Sequence, residues 1–357
     1  MATERAHRIA VIPGDGIGTE VTASARAVLD AVAARHGLDL AYDDFDWSCQ
    51  RHAESGSMMP PDSIDVLRAY DAILLGAVGW PGVPDHVSLW GLLIPIRRAF
   101  RQYANVRPVK VMDGVTSPLR SATPGSVDLV VVRENVEGEY SEIGGRLNRG
   151  FPDEMAVQES VFTRVGVERI ARYAFDLART RRGRLTSATK SNGIVHTLPF
   201  WDEVVAGVAA DYPDVEWDAE HIDALCAKVV LDPGRFDVIV ASNLFGDVLS
   251  DLTAAVAGSI GIAPSANLDP TSSSPSMFEP VHGSAPDIAG QGLANPLGAV
   301  WSAAMMLDHL GHEAAGADVL RAVEHSLRDP ASRTRDLGGS ADTDAVTEAL
   351  VRLVGAA

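Results

Sequence analysis

The sequence has few cysteines and few basic residues. Cys49 and Cys226 are its only cysteines, too few for a disulfide framework, and we therefore expect a protein of a reducing compartment. Lys and Arg number 30 against 48 Asp and Glu, which gives a net charge of −18. Because no basic tract offsets this charge, we do not expect general binding to nucleic acid or to anionic membranes. An anionic substrate would need a local cluster of arginines or lysines.

The sequence also lacks an apolar run long enough to span a bilayer. Its longest weakly polar segment, 293–307, is interrupted by Asn295 and Pro296. The charged residues 1–8 precede an apolar run, 9–12, that is too short for a signal peptide. We therefore expect a cytoplasmic protein with no membrane partner.

The length and the patterning of the chain indicate a two-domain α/β protein. A chain of 357 residues exceeds one compact core, and 46% hydrophobic with 22% charged residues is typical of soluble globular proteins. Residues 139–164 contain several glycines and a β-rich run, and they predict a hairpin arm. Elsewhere, strand-like runs alternate with amphipathic segments, which favours a sheet with a substantial parallel component; the pairs are 8–12 with 18–34, 71–77 with 90–101, 185–189 with 199–210, and 236–240 with 245–257.

Two carboxylates, Asp247 and Asp251, follow the strand-like run 236–240. Residues four apart lie on the same face of a helix, so these carboxylates would be neighbours and would repel each other by roughly a few tenths of a kcal/mol. A solvated helix face is one interpretation. The other is a site for a hard divalent cation, because the segment is otherwise apolar and such cations prefer oxygen ligands. The metal site is our working hypothesis.

A glycine cluster, Gly14-Asp15-Gly16-Ile17-Gly18, lies between the first strand-like run and the first helical segment. Its Gly-x-Gly-x-Gly spacing differs from the Gly-x-Gly-x-x-Gly fingerprint of Rossmann dinucleotide-binding folds, so the third glycine is misplaced for strand–helix packing. A tight turn explains the cluster at least as well. A Rossmann fold is therefore not predicted.

Three arginines border apolar elements. Arg97 lies in a segment of helical length, Arg107 lies ten residues later, and Arg133 ends an apolar strand-like run. Each of them could be a surface charge. Together they could form a clamp for a carboxylate, because a guanidinium fork matches the two carboxylate oxygens.

Three further positions carry groups that could transfer protons or bind a metal. Tyr140 is either a packing residue or a proton donor. Lys190, at the exit of the strand-like run 185–189, is either a plain exposed lysine or a base whose pKa is lowered by burial or by a nearby cation. Asp223 is an acid in a largely apolar stretch and a candidate third metal carboxylate.

The loop 278–290 is dense in Gly and Pro, and loops of this kind carry ligands.

These motifs run nearly end to end along the chain in a fixed order. They are Gly14-Asp-Gly-Ile-Gly18, Arg97 with Arg107, Arg133 with Tyr140, Lys190-Ser-Asn192, Asp223, Asn243 with Gly246-Asp247 and Asp251, and Glu279-Pro-Val-His282-Gly-Ser-Ala-Pro-Asp287. Any one of them could arise by chance, but the ordered set resembles the metal-dependent β-decarboxylating dehydrogenases. That family contains isopropylmalate, isocitrate, homoisocitrate, tartrate and D-malate dehydrogenases. The segment 88–98 is most similar to the tartrate and D-malate enzymes.

The resemblance implies an α/β fold of the isocitrate/isopropylmalate dehydrogenase type, which is not a Rossmann fold. Residues 1–102 and 258–357 would form a large cofactor-binding domain. Residues 103–257 would form a small domain that carries metal and substrate residues and the dimer interface. The active site would lie in the cleft between the two domains, and residues 139–164 would form an intersubunit arm of a homodimer.

The resemblance also implies roles for the metal and proton-transfer residues. Asp247 and Asp251, with Asp223 of the neighbouring subunit, would hold Mg²⁺ or Mn²⁺, which lowers the pKa of the substrate's C2 hydroxyl. Lys190 would take the hydroxyl proton while hydride leaves C2 for the nicotinamide. After CO₂ is lost, Tyr140 would protonate C3. Because Lys190 and Asp223 would act in the neighbouring subunit, a monomer would be inactive.

The substrate carboxylate that departs as CO₂ would be clamped by Arg97, Arg107 and Arg133, which would hold it in line for bond scission. Asn192 would also bind substrate, and like Lys190 it would reach the neighbouring subunit's site. The implied ligand is therefore a small hydroxy-dicarboxylate, bound by residues from two subunits.

For the cofactor, the resemblance implies an adenosine site in the loop 282–287 with Asn295 nearby. The implied cofactor-binding residues are Glu279, His282, Gly283, Ser284, Ala285, Asp287 and Asn295. Asp287 can hydrogen-bond a ribose 2′-hydroxyl but repels a 2′-phosphate, and no Lys or Arg lies between Asp287 and Asn295. NAD is therefore favoured over NADP. A monovalent cation such as K⁺ is a further cofactor compatible with the resemblance.

The segment around Arg97 favours a C4 substrate. Isopropylmalate enzymes generally carry an acidic residue a few positions before the arginine of a shorter Gly-Leu-Leu-x-Leu-Arg pattern. Here Gly91-Leu-Leu-Ile-Pro-Ile-Arg97 has one extra residue, and Trp90 stands near the position of that acid. We therefore expect decarboxylation of D-malate to pyruvate and CO₂, or oxidation and decarboxylation of tartrate.

Two alternatives remain. One is 3-isopropylmalate dehydrogenase, an enzyme of leucine biosynthesis. The other, from a different class, is a catalytically silent regulatory homologue. The second would be indicated by a missing metal carboxylate, lysine or tyrosine, and none of these is missing from the sequence.

Overall fold

The computed structural model describes residues 6–356. Residues 1–5, most of the charged segment 1–8, lie outside the described part, as does residue 357. The chain divides into two compact units. Unit 1 contains the residues up to Gln102, Arg107–Val127 and the residues from Ala254 on, and unit 2 contains Tyr103–Val106 and Asp128–Thr253. No helix within residues 6–356 is both long enough and apolar enough to cross a membrane.

Helices and strands alternate along much of the chain. The strands are β1 His7–Gly14, β2 Leu40–Asp44, β3 Ala72–Ala77, β4 Ala104–Lys110, β5 Asp128–Glu134, β6 Gly144–Leu147, β7 Met155–Gln158, β8 Arg184–Thr189, β9 Glu216–His221, β10 Val238–Ala241, β11 Pro264–Leu268 and β12 Ser276–Pro280. The helices are α1 Gly18–His36, α2 Cys49–Ser55, α3 Ser63–Leu67, α4 Asp85–Ser88, α5 Ile94–Ala99, α6 Arg164–Thr180, α7 Thr197–Ala209, α8 Ile222–Leu231, α9 Asn243–Ala257, α10 Leu297–His309, α11 Glu313–Ser326 and α12 Thr343–Ala356. A π-helical turn, Leu89–Leu93, joins α4 to α5.

Unit 1 is built on the strands β2-β1-β3-β12-β11, in that order. The first four are parallel, and β11 runs antiparallel to β12. Every residue of β3 is buried, as expected of a parallel strand with both faces covered. One core cluster of this unit contains Ile12, Met58, Leu92 and Phe100. Leu92 and Phe100 come from the helical stretch that also carries Arg97.

Unit 2 is built on the strands β5-β10-β8-β9, all parallel. β10 is an entirely buried Val-Ile-Val-Ala run, which fits its central place between β5 and β8. The amphipathic helix α6 starts at a cap in which the Thr163 side chain accepts a hydrogen bond from the backbone N–H of Gly166. Because all four strands are parallel, their carboxyl ends share one edge, where ligands of open α/β sheets gather.

The segment 139–164 forms the predicted hairpin. β6 and β7 are antiparallel, and all eight of their residues are exposed. Its apolar side chains are also exposed, with 61% of Leu147 and 68% of Phe151 accessible. A hairpin with no buried face of its own is marginal in water, so these side chains need a partner surface. Its role between subunits stays a prediction.

The strand–helix pairs anticipated from the sequence are confirmed: 8–12 lies within β1, 71–77 ends in β3, 185–189 lies within β8, and 236–240 ends in β10. Each is followed by a helix, although the second helix is interrupted by the π-turn. The mixed α/β fold with a large parallel component is also confirmed.

The two units differ from the anticipated domain boundaries in two segments, 107–127 and 254–257, which both lie with unit 1. The sequence placed both segments in the small domain. Two ion pairs join the segment 107–127 to α11 and the residues just after it. Lys110 Nζ lies 2.6 Å from Glu324 Oε1, and Arg328 Nε lies 3.2 Å from Asp113 Oδ2.

Candidate active site

Four side chains from the sequence motifs lie where the parallel strands of unit 2 end. Arg133 is the second-last residue of β5, Lys190 directly follows β8, Asp223 lies in the first turn of α8 after β9, and Asn243 begins α9 after β10. The sequence placed these residues at strand ends one by one. The sheet order β5-β10-β8-β9 brings them to a common edge.

Arg133 is buried and lies at the centre of a polar cluster. Its Nε and Nη2 donate to Asn243 Oδ1 at 3.1 and 2.7 Å, and its Nη1 is ion-paired with Asp247 Oδ1. Tyr140 Oη donates to the other carboxylate oxygen of Asp247 at 2.8 Å. The guanidinium also lies 5.4 Å from the centroid of the Tyr140 ring. Arg133, Tyr140 and Asp247, predicted as three separate functional residues, are thus in direct contact.

Gly246 makes this close packing possible. A Cβ at position 246 would lie 2.5 Å from Cβ of Arg133, a distance that real Cβ atoms do not reach. The start of α9 is held in addition by Glu139, which accepts hydrogen bonds from Ser242 Oγ at 2.7 Å and from the backbone N–H of Leu244 at 3.0 Å. A carboxylate at the amino end of a helix is also favoured by the helix dipole.

Lys190 and Asp223 form a second pair at the same sheet edge. Lys190 Nζ lies 2.7 Å from Asp223 Oδ1, and this ammonium holds the pKa of Asp223 below its usual range. Asn192 lies in the exposed turn that follows Lys190. Within one chain, therefore, the two halves of the predicted proton-transfer and metal machinery are arranged as separate clusters.

The predicted metal carboxylates do not converge within a single chain. Asp247 is partly exposed and Asp251, one turn further along α9, is exposed. Among residues 6–356, no group of three His, Cys, Asp or Glu side chains is close enough to hold a metal ion. Asp223 therefore does not join Asp247 and Asp251 in the same chain.

In unit 1, Arg97 is buried and held by Glu279. Arg97 Nη2 donates to Glu279 Oε1 at 2.6 Å, and the same oxygen accepts a hydrogen bond from Asn267 Nδ2 at 2.8 Å. The Nε of Arg97 is buried and has no hydrogen-bond partner in the described part of the chain. Glu279, predicted to bind cofactor, thus orients an arginine predicted to bind substrate. Arg107 is buried within β4.

The loop 282–287 has the features of a ligand-binding loop. Ala285 has a positive φ of 39°, which residues other than Gly, Asn and Asp rarely adopt and which is often found at functional sites. The carbonyl of Ser284 accepts a hydrogen bond from the backbone N–H of Ile17 at 2.9 Å. A Cβ at Gly16 would lie 2.1 Å from that carbonyl oxygen, so the glycine turn after β1 is required for its packing against this loop.

His282 presents an acceptor atom. Its Nδ1 lies 3.0 Å from the carbonyl oxygen of Gly283, which can only accept, so Nδ1 carries the proton. Burial lowers the pKa of His282, which keeps the ring neutral and leaves Nε2 as an acceptor. Nε2 is buried and unpartnered in the described residues.

Asp336 contacts a predicted cofactor-binding residue and was not singled out from the sequence. Its Oδ2 accepts hydrogen bonds from Asn295 Nδ2 at 2.9 Å and from Ser259 Oγ at 2.7 Å. Asn295 was predicted to bind cofactor, and Asp336 adds a second acidic group to Asp287 in this part of unit 1. In the sequence, Asp336 lies in a polar stretch, 329–343, that carries none of the motifs. A hydrogen bond between side chains 41 positions apart in sequence has no local signal.

Glu134 is the second residue that sequence reasoning missed. It is fully buried directly after Arg133, and burial raises the pKa of its carboxyl to about 7. Its Oε2 accepts from the backbone N–H groups of Val136 and Glu137 at 2.9 and 2.8 Å, and its Oε1 from Arg169 Nη2 at 3.1 Å. Glu134 thus holds the start of the loop that leads from Arg133 to Tyr140. An acid next to an arginine in a Val-rich run was the only available signal.

A cavity of about 660 Å³ lies in unit 1 beside the glycine turn 14–16 and Trp80. None of the side chains predicted to be catalytic lines it. Asp15, in its wall, is structural, since its carboxylate accepts hydrogen bonds from the backbone N–H groups of Cys49 and Gly79. Burial raises the pKa of Cys49 to about 12, so this thiol is protonated at neutral pH and is a poor nucleophile.

Comparison with known proteins finds similarity over nearly the whole chain. The family model described as isocitrate/isopropylmalate dehydrogenase matches residues 8–352. A probable tartrate dehydrogenase/decarboxylase of Bacillus subtilis strain 168 is 56% identical over 97% of both chains. The decarboxylating D-malate dehydrogenase of Escherichia coli strain K12 is 53% identical over 97% of this chain and 98% of its own. The crystal structure of isocitrate dehydrogenase from Methylococcus capsulatus superposes with a TM-score of 0.89 at 36% identity, covering 98% of this chain and 99% of that one.

Proposed function

The chain belongs to the isocitrate/isopropylmalate dehydrogenase family and is an enzyme, and we propose that it catalyses the NAD- and metal-dependent oxidative decarboxylation of a C4 hydroxy-dicarboxylate. D-Malate, converted to pyruvate and CO₂, and tartrate are the proposed substrates. The contact of Arg133 and Tyr140 with Asp247 carries the proposal. It combines an anion-binding cation, a proton donor and a metal-ligating carboxylate at one sheet edge.

The choice of a C4 acid is supported by the relatives. Two proteins that match 97% of this chain at 53–56% identity are named for tartrate and D-malate. Both substrates carry a hydroxyl on C2 and a second carboxylate on C3. Loss of that carboxylate requires a keto group at C2, which explains why an oxidation precedes the decarboxylation.

The donor set of α9 fits a hard divalent cation. Asp247 and Asp251 supply only carboxylate oxygens, the ligands that Mg²⁺ and Mn²⁺ prefer. Asp223 of a second copy would be the third ligand. When bound, the metal would polarise the C2–O bond and stabilise the enolate that decarboxylation produces.

The side chains of this protein then have the following roles. Lys190, in its neutral form, accepts the C2 hydroxyl proton while hydride passes from C2 to NAD⁺. Arg97, Arg107 and Arg133 bind the carboxylate on C3, and their charge holds it until the C3–C4 bond breaks and CO₂ departs. Tyr140 gives its phenolic proton to C3.

The cofactor site is proposed in unit 1 at the loop 282–287. The unpartnered acceptor Nε2 of His282 fits the amino group of adenine, and Asp287 fits a ribose 2′-hydroxyl. Asp336, bound to Asn295, would add negative charge that disfavours the 2′-phosphate of NADP. NAD is therefore the proposed cofactor.

We propose a homodimer that forms through unit 2. Large exposed apolar side chains are concentrated in this unit, on the hairpin, on α8 and at the start of α9; they include Ile143, Leu147, Phe151, Met155, Leu231 and Val248. Exposed apolar surface of this extent marks an interaction site. A second copy that covers it would bring its own Lys190, Asn192 and Asp223 to Asp247 and Asp251.

An absorbance assay of NADH formation tests the proposal. We expect turnover with D-malate or tartrate in the presence of Mn²⁺ and NAD⁺, its loss with EDTA, and a weaker reaction with NADP⁺. Efficient turnover of 3-isopropylmalate with little of either C4 acid would contradict the substrate assignment. Full activity in EDTA would contradict the metal site. No turnover of any 2-hydroxy acid would favour a silent homologue.

A further inference from the structure

The helix that carries the two proposed metal carboxylates receives its cap from another segment of the chain. α9 begins at Asn243, so Ser242 occupies the position whose side chain ordinarily accepts a hydrogen bond from the backbone N–H groups of the first turn. Here Ser242 Oγ donates instead, to Glu139 Oε1 at 2.7 Å. Glu139 Oε2 accepts the hydrogen bond from the backbone N–H of Leu244 at 3.0 Å. A carboxylate more than 100 positions earlier in the chain therefore caps α9.

The capping carboxylate belongs to the base of the exposed hairpin. Directly before it, Gly138 pairs with Val161, and the backbone N–H of each donates to the carbonyl of the other at 2.7 and 2.9 Å. On the returning strand β7, Gln158 Nε2 donates to the backbone carbonyls of Ser141 at 2.7 Å and of Glu139 at 3.4 Å. The two strands of the hairpin are thus joined to each other on both sides of Glu139.

The same short segment contacts α9 at two further points. Asn243 Nδ2 donates to the backbone carbonyl of Glu137 at 2.9 Å, and Tyr140 Oη donates to Asp247 Oδ2 at 2.8 Å. Among these contacts, those of Glu139 are made by an ionised acceptor to the amino end of the helix. Hydrogen bonds to charged groups are roughly twice as strong as those between neutral groups, and the helix dipole favours negative charge at this end. Glu139 is therefore the strongest of these links.

The position of the first turn of α9 matters for metal binding. Asp247 lies one turn after Asn243, and Asp251 lies one turn further along. Because a helix is rigid over two turns, a shift of its first turn moves both carboxylates together. Mg²⁺ requires oxygen ligands at roughly 2.0–2.1 Å in near-ideal geometry, so a displacement of a fraction of an ångström weakens its binding.

We propose that Glu139 is a positioning residue of the metal site, which ties the first turn of α9 to the hairpin base, so that the affinity for the divalent cation depends on the hairpin. This inference rests on the proposed function, because that function assigns the cation to Asp247 and Asp251. Glu139 takes no part in the chemical steps and is not a metal ligand in this scheme. It acts through Ser242 and the backbone of α9.

Glu139→Ala is the direct test, because it removes the acceptor of both hydrogen bonds. We expect the Kd for Mn²⁺, measured by isothermal titration, to rise by about 10-fold or more, as for other residues that orient metal ligands. In the NADH assay the KM for Mn²⁺ should rise by a similar factor. The kcat at saturating Mn²⁺ should fall by a smaller factor, because the bound cation draws both carboxylates back into place.

Two further variants bracket this result. Glu139→Gln keeps one oxygen acceptor, and its Kd for Mn²⁺ should lie between those of the parent and Glu139→Ala. Glu154→Gln is the matched control, because it also neutralises an acid of the hairpin. The Glu154 carboxylate contacts Arg146 and the backbone N–H of Gly150, all within the hairpin. It should leave the Kd unchanged.

Gln158→Ala tests the link to the hairpin. Its side chain bonds the hairpin base and lies on β7, so its loss should loosen the segment that carries Glu139. We expect the Kd for Mn²⁺ to rise by about twofold or more in the parent and by no further factor in Glu139→Ala. Sedimentation at the assay concentration would establish that all variants keep the oligomeric state of the parent. Additive effects of the two substitutions would contradict the link.

A readout without metal completes the test. In EDTA, the backbone amides of residues 244–248 should exchange hydrogen faster in Glu139→Ala than in the parent. Faster exchange with an unchanged Kd for Mn²⁺ would make Glu139 a structural residue only and would overturn the inference, as would no change in either measurement. If Glu139→Ala does not fold, Ser242→Ala, which removes only one of the two hydrogen bonds, replaces it in each experiment.

The outcomes separate the two claims. A parent protein that does not bind Mn²⁺ would contradict the proposed function. A parent that binds Mn²⁺ no more tightly than a folded Glu139→Ala variant would overturn only the role of Glu139.

Discussion

Asp251 is the residue on which the metal assignment depends most directly. Asp247 is already engaged by Arg133 and Tyr140 in the single chain, whereas Asp251 is the exposed carboxylate one turn along the same helix face. A cation bound by both carboxylates would have only one charged ligand left on this helix when Asn replaces Asp251. The negative charge that attracts the cation would also fall by one unit.

We expect Asp251→Asn to weaken Mn²⁺ binding by at least about 10-fold and to lower turnover while the fold persists. Isothermal titration with Mn²⁺ and the NADH assay at several Mn²⁺ concentrations would measure both effects. Asp344→Asn, an exposed acid in the first turn of α12, is the control and should change neither. Full activity and unchanged Mn²⁺ affinity in Asp251→Asn would refute the assignment.

Glu134 makes the stability of the protein depend on pH. Its carboxyl has a pKa of about 7 in the folded protein, raised from an ordinary 4.5 by burial. Between these values the folded state binds a proton that the unfolded chain releases. Its contribution to stability is therefore fully present below about pH 4.5 and is lost as the pH rises to about 7.

Glu134→Gln removes this dependence and keeps an oxygen acceptor for the backbone N–H groups of Val136 and Glu137. The parent's free energy of unfolding minus that of the variant should decrease as the pH rises from 5 to 8, by at most roughly 3 kcal/mol. Urea unfolding at a fixed protein concentration would measure it. Glu348→Gln, on the exposed face of α12, should leave the pH profile unchanged. An advantage that grows with pH would contradict the assignment.

At the scale of elements, the site is formed where parallel strands end and helices begin. β5 delivers Arg133, and the start of α9 packs against it closely enough that only glycine fits at position 246. Glu139 holds the amino end of α9 through Ser242 and Leu244. The orientation of Asp247 toward Arg133 and Tyr140 thus depends on a helix that is fixed at its first turn.

We expect Gly246→Ala to displace α9 from Arg133 and to cost about 1–3 kcal/mol of stability, because the added methyl has no space. Turnover should fall together with Mn²⁺ affinity. The matched control is Gly207→Ala in α7, where an added Cβ meets nothing within 4 Å and alanine is favoured by up to about 1 kcal/mol. Thermal unfolding of both variants would measure the change in stability, and the NADH assay would measure the change in turnover. Parent-like values for both measurements in Gly246→Ala would exclude this role.

The π-turn is the element that sequence patterning could not resolve. The run 90–101 predicted one continuous helix, and the extra residue before Arg97 had no derived role. A change of helical register leaves no periodic signature over five residues, because the apolar positions still recur at intervals of three to four. The hydrogen bond from the backbone N–H of Ile94 to the carbonyl of Leu89, five residues earlier, reveals it.

At the scale of the whole molecule, the single chain is proposed to hold two halves of a site. One half is the Arg133, Tyr140 and Asp247 cluster, and the other is the Lys190–Asp223 pair. No three metal-ligating side chains converge within residues 6–356, which is what a site completed by a second copy requires. The exposed apolar surface of unit 2 supports the same arrangement.

Mixed dimers test this arrangement. Lys190→Ala and Asp251→Asn homodimers should each be nearly inactive. When the two variants are unfolded and refolded together in equal amounts, half of the dimers are hybrids, and each hybrid has one site free of both substitutions. Activity should therefore return to about a quarter of the parent value. Either variant refolded alone is the control, and no recovery on mixing would place both residues in the same chain's site.

The sequence by itself determined the fold class, the order of the elements and the identity of most candidate site residues. Buried β-branched runs, helix-length amphipathic segments and the ordered motifs are properties of neighbouring residues, so they are readable along the chain. Only the tertiary structure decided which residues meet. Asp336 reaches Asn295, Glu279 holds Arg97, and the register of the helix before Arg97 brings Trp90 onto Arg98. These contacts join residues far apart in sequence or depend on a single inserted residue, and packing selects them without a local pattern.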